Sequence, residues 1–294
     1  MSLQSKRVQG NFRSKARISG DLGLVGSQKT RNSATAKKIS LDNPARKGGN
    51  SVGEKQGVSP TGSIRINKFL ALAGICSRRE ADRFIEEGKV TINGKHAVIG
   101  DKVSEKDKVN FENKPAKINQ KKIYIAFHKP FGVITTTDPN CNNNIIEHIA
   151  INTRIFPVGR LDVQSSGLIL LTNDGEIVNK ISKAQHHHEK EYLVTVDEVI
   201  SAEFIKKMES GVHILEQKTL PAKVVKISPN QFSIVIVQGL NRQIRRMCEA
   251  LGFNVKILKR VRIMNIELGE LKRGKWRYLT PEEESTLLKT LDEE

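Results

Sequence analysis

Hydrophobic positions are distributed unevenly along this 294-residue chain. Residues 1–62 contain few of them and are rich in Lys, Arg, Ser, Asn and Gly. Such a segment cannot bury enough apolar surface to offset the entropy lost on ordering. We therefore predict that residues 1–62 form a basic disordered tail.

Two short helical patterns follow the tail. The first covers residues 66–72, and the second begins at Ser77 and ends near Gly88. Ser77 and Glu80 have the spacing of a capping box, in which each side chain satisfies a backbone amide of the other residue. These signals predict two consecutive helices with a sharp boundary between them.

A hairpin pattern comes next. Residues 89–92 and 96–99 flank the pair Asn93-Gly94, which tolerates the positive φ of a tight turn. The result is a small helix-helix-hairpin unit. Its second helix presents three cations that could meet a phosphate backbone or remain solvated: Arg78, Arg79 and Arg83.

The rest of the chain, residues 121–294, mixes strand and helix patterns without a regular β-α-β rhythm, which indicates an α+β domain. We expect strands in the segments IYIAFHK, VITTT, GLILL, EYLVTVD, KVVKIS and FSIVIV. A helix is expected before Gly211, and Thr280 with Pro281 begins a C-terminal helix. Neither a dinucleotide-binding glycine motif nor a phosphate-binding loop is present, so a nucleotide cofactor lacks support.

The segment QGLNRQIRRMCEALGF predicts one further helix, for which Asn241 is the expected N-cap. One side of it is apolar: Ile244, Met247, Cys248 and Leu251. Another carries three arginines: Arg242, Arg245 and Arg246. Two interpretations stay open for them, a solvated helix face or a site where one Arg meets a carboxylate and the others meet phosphate.

The charge of the chain narrows the class of partner. Its formal net charge is +17, which favours a polyanion, nucleic acid first and an anionic membrane surface second. Twelve Lys and Arg against three acids lie within residues 1–62, and that tail could follow RNA phosphates, act as a solubilising extension, or resemble an organellar transit peptide. We expect a cytoplasmic protein, with organellar targeting left open.

Other function classes find less support. No apolar run approaches the roughly 20 residues of a membrane span. Three widely separated cysteines and the run His186 to His188 lack metal-ligand spacing, so neither a disulfide framework nor a metal site is expected. The acid Asp162, just before the apolar run 167–171, is by its local sequence either a turn residue or a chemical group.

Two resemblances to known families indicate more about fold and function than these local patterns do. Residues 63–117, with INKFLALAGICSRREADRFIEEGKVTINGK, resemble the alpha-L RNA-binding domain first described in a small-subunit ribosomal protein. Residues 121–294 resemble the RsuA-type pseudouridine synthases, most closely the RluF-like branch that modifies large-subunit ribosomal RNA. The motifs that carry this resemblance are HKPFGVITTT, PVGRLDVQSSGLILLTNDG, HEKEYLVTVD, VQGLNRQIRRMCEALGF and GKWRYLTPEE.

The second resemblance implies a synthase domain with a mixed, mainly antiparallel sheet flanked by helices, and a reaction without a cofactor or metal. It implies that Asp162 is the catalytic carboxylate, used covalently or as a base. Arg245 is then its guanidinium partner, and Tyr192 stacks on the target base. Lys129 and Pro130 are expected to shape the site from behind.

The same resemblance implies ribosomal RNA as partner, 23S rRNA in particular, with transfer RNA as an alternative. Arg160 is expected to fill the space of the extruded base or to clamp the backbone, unless it is a surface turn residue. The full set expected to contact RNA is Arg78, Arg79, Arg83, Lys129, Arg160, Arg242 and Arg246. Two rival functions remain: a non-catalytic RNA-binding or ribosome-assembly protein, and an RNA-remodelling protein whose modifying activity is secondary.

Overall fold

The structure is a computed structural model that describes residues 62–118, 121–182 and 188–293. These residues belong to a compact unit that spans Gly57–Glu294. The predicted disordered tail and the run His186 to His187 lie outside the described residues, so those two expectations are not addressed by the fold.

The helices are α1 (Ile66–Leu72), α2 (Arg78–Glu86), α3 (Gly175–Ser182), α4 (Ala202–Ser210), α5 (Gln243–Ala250) and α6 (Pro281–Asp292). The strands are β1 (Ile64–Arg65), β2 (Val90–Ile92), β3 (Lys95–His96), β4 (Lys102–Val103), β5 (Val109–Phe111), β6 (Lys114–Pro115), β7 (Tyr124–Lys129), β8 (Phe156–Val158), β9 (Ser166–Thr172), β10 (Lys190–Val196), β11 (His213–Ile214), β12 (Gln217–Lys218), β13 (Lys223–Ser228), β14 (Gln231–Ile236), β15 (Val255–Ile263), β16 (Ile266–Glu267) and β17 (Trp276–Tyr278).

The first part of the chain forms the predicted helix-helix-hairpin unit. The capping box of α2 is present: the Ser77 amide donates to the Glu80 carboxylate at 2.7 Å, and the Glu80 amide donates to the Ser77 hydroxyl at 3.1 Å. Asn93 and Gly94 adopt φ angles of 51° and 83°, as a tight hairpin turn requires. The second arm of the hairpin is shorter than expected, because β3 ends at His96.

A mixed sheet forms the centre of the second part, in the order β13-β14-β10-β15-β9-β7-β17. Strand β8 pairs with β9, and β16 pairs with β15. Within the described residues, the pairing of β15 with β9 is parallel and the other strand pairs of this sheet are antiparallel. The prediction of a mixed, mainly antiparallel sheet is therefore confirmed.

Helices cover both faces of the sheet. On one face, α4 and α5 contribute Phe204, Met208 and Met247 to a core that also holds Val194 of β10. On the other face, the apolar residues of α3 and α6 pack on β7 and β9. Because inward side chains alternate along each strand, Tyr192 lies on the same face as α4 and α5, where the site is found.

Two local expectations were wrong. The segment VITTT is not a strand; it makes one isolated bridge, between Ile134 and Asn144. Asn241 is not the cap of α5, because Arg242 occupies the N-cap position with a left-handed backbone of φ 50°. Instead, the backbone and side-chain oxygens of Asn241 accept hydrogen bonds from Arg246.

No helix in the described ranges combines the length and apolar character needed to cross a bilayer. The C-terminal helix begins as predicted, with Pro281 in its first turn and a capping box between Thr280 and Glu283.

Candidate active site

Asp162 lies in a turn between β8 and β9. The amide of Ser165 donates to the backbone oxygen of Asp162 at 3.0 Å, which closes the turn. The Asp162 side chain is half-buried, between the buried residues Leu161 and Ser165 at the two ends of the turn. We call residues 161–165 the aspartate loop.

The start of the aspartate loop is fixed by a buried threonine. The Thr135 hydroxyl donates to the Leu161 carbonyl at 2.7 Å and accepts from the Leu161 amide at 3.3 Å. This pair of bonds replaces the strand pairing that the sequence had predicted for the threonine-rich segment.

Lys129 holds the other end of the aspartate loop. Its side chain has no exposed surface, and its ammonium donates to the backbone oxygens of Ser165 and Pro130, each at 2.9 Å. Burial lowers the pKa of Lys129 to about 8, an effect that the nearby Asp162 charge partly opposes. The buried ammonium and its carbonyl partners agree with the expectation that Lys129 shapes the site from behind, whereas its contact with RNA stays a prediction.

Arg245 holds the middle of the aspartate loop. Its guanidinium donates to the Gln164 carbonyl at 2.7 Å and to the Val255 carbonyl at 3.1 Å. Burial and the neighbouring Arg242 lower the pKa of Arg245, while Asp162 acts in the opposite direction. Both Arg245 and Asp162 are described, and no ion pair joins them, so the hydrogen bonds of Arg245 go to the loop backbone and not to the carboxylate.

The three arginines of α5 do not form one continuous charged face. Arg242 is exposed at the start of the helix, Arg245 is partly buried under the aspartate loop, and Arg246 is bonded to Asn241. The helix therefore presents one arginine to the cleft and uses another to hold the loop.

Arg260 is a functional candidate that the sequence reasoning missed. It lies on β15 with a side chain that is 3 % exposed, and its Nε donates to the Leu168 carbonyl at 2.7 Å. One terminal nitrogen approaches the Tyr192 hydroxyl at 3.5 Å, and the other has no hydrogen-bond partner among the described residues. The signal was an arginine two positions after the inward-facing Leu258, on the same side of the strand, where a buried charge requires partners.

Gly167 allows β9 to approach the backbone of Arg260. A Cβ atom on Gly167 would lie 2.1 Å from the Arg260 carbonyl oxygen, and the φ of Gly167 is +108°. Only glycine fits here, since both the space and the backbone angle exclude a side chain.

Asp162 and Tyr192 line one cleft. The residues around it are Arg160, Leu161, Asp162, Ser165, Tyr192, Ile236, Gly239, Leu240, Arg242, Gln243, Ile244 and Leu258. Arg160 and Arg242 are exposed at this cleft, whereas Tyr192 is 9 % exposed and forms part of its wall. Of the three residues expected to be catalytic, Asp162 and Tyr192 are thus brought together directly, and Arg245 lies behind the loop.

The arginines of the first unit lie elsewhere. Arg78, Arg79 and Arg83 are exposed on α2 and line a groove together with residues 136–140 and 146, 149 and 151–155. In the described part of the chain, none of the three forms a hydrogen bond or an ion pair, so their guanidiniums are available to an anion.

Metal-binding and thiol chemistry have little support in this site. The described residues contain no group of three or more His, Cys, Asp or Glu side chains that could hold a metal ion. Burial raises the pKa of the Cys76 thiol to about 11 and that of the Cys248 thiol to about 12. Both thiols are therefore protonated at neutral pH, which makes them poor nucleophiles.

Comparison with known proteins identifies the family. The family model described as RNA pseudouridylate synthase matches residues 123–250, and the S4 domain model matches residues 64–109. The chain is 50 % identical over 235 residues to the dual-specificity RNA pseudouridine synthase RluF of Escherichia coli (strain K12). The aligned residues cover 79 % of this chain and 81 % of that protein. The chain belongs to the RNA pseudouridylate synthase family.

Two further similarities support this pseudouridine synthase assignment. Ribosomal large subunit pseudouridine synthase B of Bacillus subtilis (strain 168) is 38 % identical over 228 residues, covering 74 % of this chain and 93 % of the relative. A solved structure described as the crystal structure of pseudouridylate synthase aligns with a TM-score of 0.57 at 30 % identity, over 77 % of this chain and 99 % of that one.

The resemblances inferred from the motifs are thereby confirmed. This protein is an RNA pseudouridine synthase, an isomerase, with an S4 domain that binds RNA. Its matched synthase region contains the whole aspartate loop, Tyr192 and Arg245.

Proposed function

We propose that this pseudouridine synthase isomerises a uridine of large-subunit ribosomal RNA, 23S rRNA in bacterial terms, with Asp162 as the catalytic carboxylate. The observation that carries this proposal is the cleft that Asp162 and Tyr192 line together, with Arg160 and Arg242 exposed beside them. An acid and an aromatic wall within a cationic opening suit a flipped nucleoside.

The Asp162 carboxylate is poised for chemistry because its charged neighbours are engaged elsewhere. Lys129 and Arg245 donate their hydrogen bonds to backbone carbonyls of the aspartate loop and its surroundings. Within the described residues, no side chain donates to the Asp162 carboxylate. Both of its oxygens therefore remain open to substrate.

The reaction requires little more than this one ionised acid. The bond between the ribose carbon and the uracil ring nitrogen breaks, the base rotates, and the same ribose carbon joins a uracil ring carbon. A proton leaves that ring carbon and another is taken up by the released nitrogen, so atoms and electrons balance without a further reactant. Asp162 acts on the sugar either covalently or as a base.

Tyr192 gives the released uracil a surface to rest on. Its ring forms part of the cleft wall, and Arg260 lies 6.0 Å from the ring centroid on the inner side. Stacking on an aromatic ring holds a base without requiring a particular hydrogen-bond pattern. The detached uracil can then rotate while it stays in the cleft.

The exposed arginines bind the RNA around the target. Extruding a base costs a few kcal/mol, which phosphate contacts offset. Arg160 and Arg242 line the cleft, and we propose that they clamp the backbone there. Arg246, which is bonded to Asn241, is a further proposed RNA contact outside the cleft lining. The α2 arginines of the S4 domain, Arg78, Arg79 and Arg83, are placed to bind a more distant phosphate.

The names of two relatives support a substrate class. One is named a dual-specificity RNA pseudouridine synthase, and another a ribosomal large subunit pseudouridine synthase. We therefore propose large-subunit ribosomal RNA as the main substrate and transfer RNA as a second one. With ribosomal RNA as substrate, we propose a cytoplasmic location.

Tritium release tests the proposal. RNA with tritium at uracil carbon five loses the label when pseudouridine forms. We expect release from large-subunit ribosomal RNA by the wild type and by Asp292→Asn, whose carboxylate is exposed and pairs with Lys180 on the protein surface. Asp162→Asn should release no label yet bind RNA with unchanged affinity.

Two results would contradict the proposal. Release by Asp162→Asn at the wild-type rate would remove Asp162 from the chemistry. Absence of release from both ribosomal and transfer RNA by the wild type, with RNA binding intact, would favour the RNA-binding or ribosome-assembly function instead.

A further inference from the structure

Phe131 is an aromatic residue that the catalytic account leaves unused. It follows β7 in the turn Lys-Pro-Phe-Gly, and its side chain is 63 % exposed. Val163, which follows Asp162 in the aspartate loop, is 43 % exposed. Single exposed apolar side chains are normal on a protein surface, so a binding function for Phe131 depends on what surrounds it.

These two exposed residues are held next to each other. The Gly132 amide donates to the Val163 carbonyl at 2.8 Å, which ties the phenylalanine turn to the aspartate loop. The Asn143 side chain donates to the Gly132 carbonyl at 3.0 Å and supports the turn from another segment. The phenylalanine turn is therefore tied by its backbone to the loop that carries Asp162.

A cationic loop, residues 272–275, lies near Pro130 of the same turn. A Cβ atom on Gly274 would be 3.7 Å from Cγ of Pro130, so the two loops are in contact range. The Gly274 amide donates to the His128 carbonyl at 2.9 Å, and the His128 amide donates to the Lys275 carbonyl at 3.0 Å. These bonds fix residues 272–275 beside Pro130.

The charges of this loop have no protein partner. Lys272, Arg273 and Lys275 are exposed, and in the described parts of the chain none of them has an ion pair. Burial lowers the pKa of His128, and the charges of Lys259 and Arg273 lower it further. The loop thus creates a positive field next to an exposed aromatic ring.

We propose that Phe131 and Val163 form a stacking surface for an unpaired RNA base next to the target uridine, and that residues 272–275 bind the phosphates of the same strand. Extrusion of the target leaves a neighbouring base without its stacking partner. An aromatic ring beside cations is the usual arrangement for binding single-stranded RNA. We call this surface the Phe131 platform; it rests on Asp162 being the reaction centre.

The first test separates stacking from simple apolar contact. With full-length protein and a large-subunit ribosomal RNA transcript, Phe131→Ala and Phe131→Leu should each weaken binding about tenfold, the usual effect of removing one stacked aromatic. Phe131→Trp should bind like the wild type. Tyr278→Ala is the control, since Tyr278 is 53 % exposed and pairs with Ile125 near the other end of β7.

The second test concerns the phosphates. Each phosphate contact to a single strand contributes about 0.7 to the slope of log affinity against log salt concentration. Lys272→Gln with Lys275→Gln should therefore reduce that slope by about 1.4. Lys206→Gln with Lys218→Gln, which removes two exposed lysines of α4 and β12, should leave it unchanged.

The results distinguish this inference from the proposed catalysis. The binding assay does not depend on turnover. If Asp162→Asn still released tritium, the catalytic assignment would be overturned, but the affinities of the Phe131 variants could still be compared. Wild-type affinity of Phe131→Ala, or equal affinity of Phe131→Leu and Phe131→Trp, would overturn the stacking surface. An unchanged salt slope in the Lys272 and Lys275 variant would overturn the phosphate contacts.

Discussion

Gly167→Ala probes the contact on which the inner wall of the site depends. Gly167 of β9 pairs with Arg260 of β15 in the parallel part of the sheet. The added methyl group would lie 2.1 Å from the Arg260 carbonyl oxygen and 2.5 Å from its amide nitrogen. Both atoms belong to the backbone, so no side-chain rotation relieves the overlap.

The size of the effect follows from this geometry. Ordinary contact at a Cβ atom begins at 3.4 Å, so the strands would have to separate by more than 1 Å. Overpacking of this kind costs about 1–3 kcal/mol, and a non-glycine residue at φ +108° adds about 1–3 kcal/mol of strain. We expect the free energy of unfolding of Gly167→Ala to fall by about 4 kcal/mol and its melting temperature by about 10 °C for a unit of this size.

Activity should fall along with stability. Arg260 is the residue that approaches the Tyr192 hydroxyl from β15, so moving β15 displaces one wall of the cleft. A displacement of about 1 Å costs about a hundredfold in rate when it changes the alignment of reacting groups. The assays are thermal unfolding followed by circular dichroism, and single-turnover tritium release at a temperature where the variant remains folded.

Gly100→Ala is the matched control. Gly100 has a φ of +99° but no atom within 4 Å of the position of an added Cβ. An alanine here would carry the same kind of backbone strain without the overlap. We expect Gly100→Ala to lower the free energy of unfolding by only about 1–3 kcal/mol and to keep wild-type activity. If Gly167→Ala melted together with Gly100→Ala and retained full activity, the close approach of β9 and β15 would have no part in the site.

Three further outcomes are expected. Arg260→Lys should lower kcat by tenfold or more with little change in KM, measured in steady-state tritium release, because a lysine cannot bond the Leu168 carbonyl and reach Tyr192 together. Thr135→Val should destabilise the fold by about 1–3 kcal/mol in urea unfolding, because the buried amide and carbonyl of Leu161 lose their partner. Burial holds the pKa of Lys129 at about 8, below its usual 10.5, so between these pH values the unfolded chain binds more protons and stability rises with pH. The unfolding free energy of the wild type relative to Lys129→Met should thus increase by about 2 kcal/mol from pH 8 to pH 9.5; a constant difference would show that the ammonium carries no such penalty.

Much of the fold was readable from local signals. The capping boxes at Ser77 and Thr280 and the turn at Asn93-Gly94 act within a few residues, so the sequence shows them directly. The threonine-rich segment after Gly132 was predicted to be a strand because Thr and Val favour strands. Its buried threonine instead bonds Leu161, which is 26 residues away and invisible to any local pattern.

The sequence by itself determined the family, the two matched regions and the candidates Asp162, Tyr192 and Arg245, because the motifs that carry them are contiguous segments. Only the tertiary structure showed that Lys129 and Arg245 bond the backbone of the aspartate loop and that Arg260 lies behind Tyr192. Those contacts join residues 36, 81 and 68 positions apart. Secondary-structure preference acts over a few residues. The partner of a buried charge, by contrast, depends on how distant strands and loops pack together.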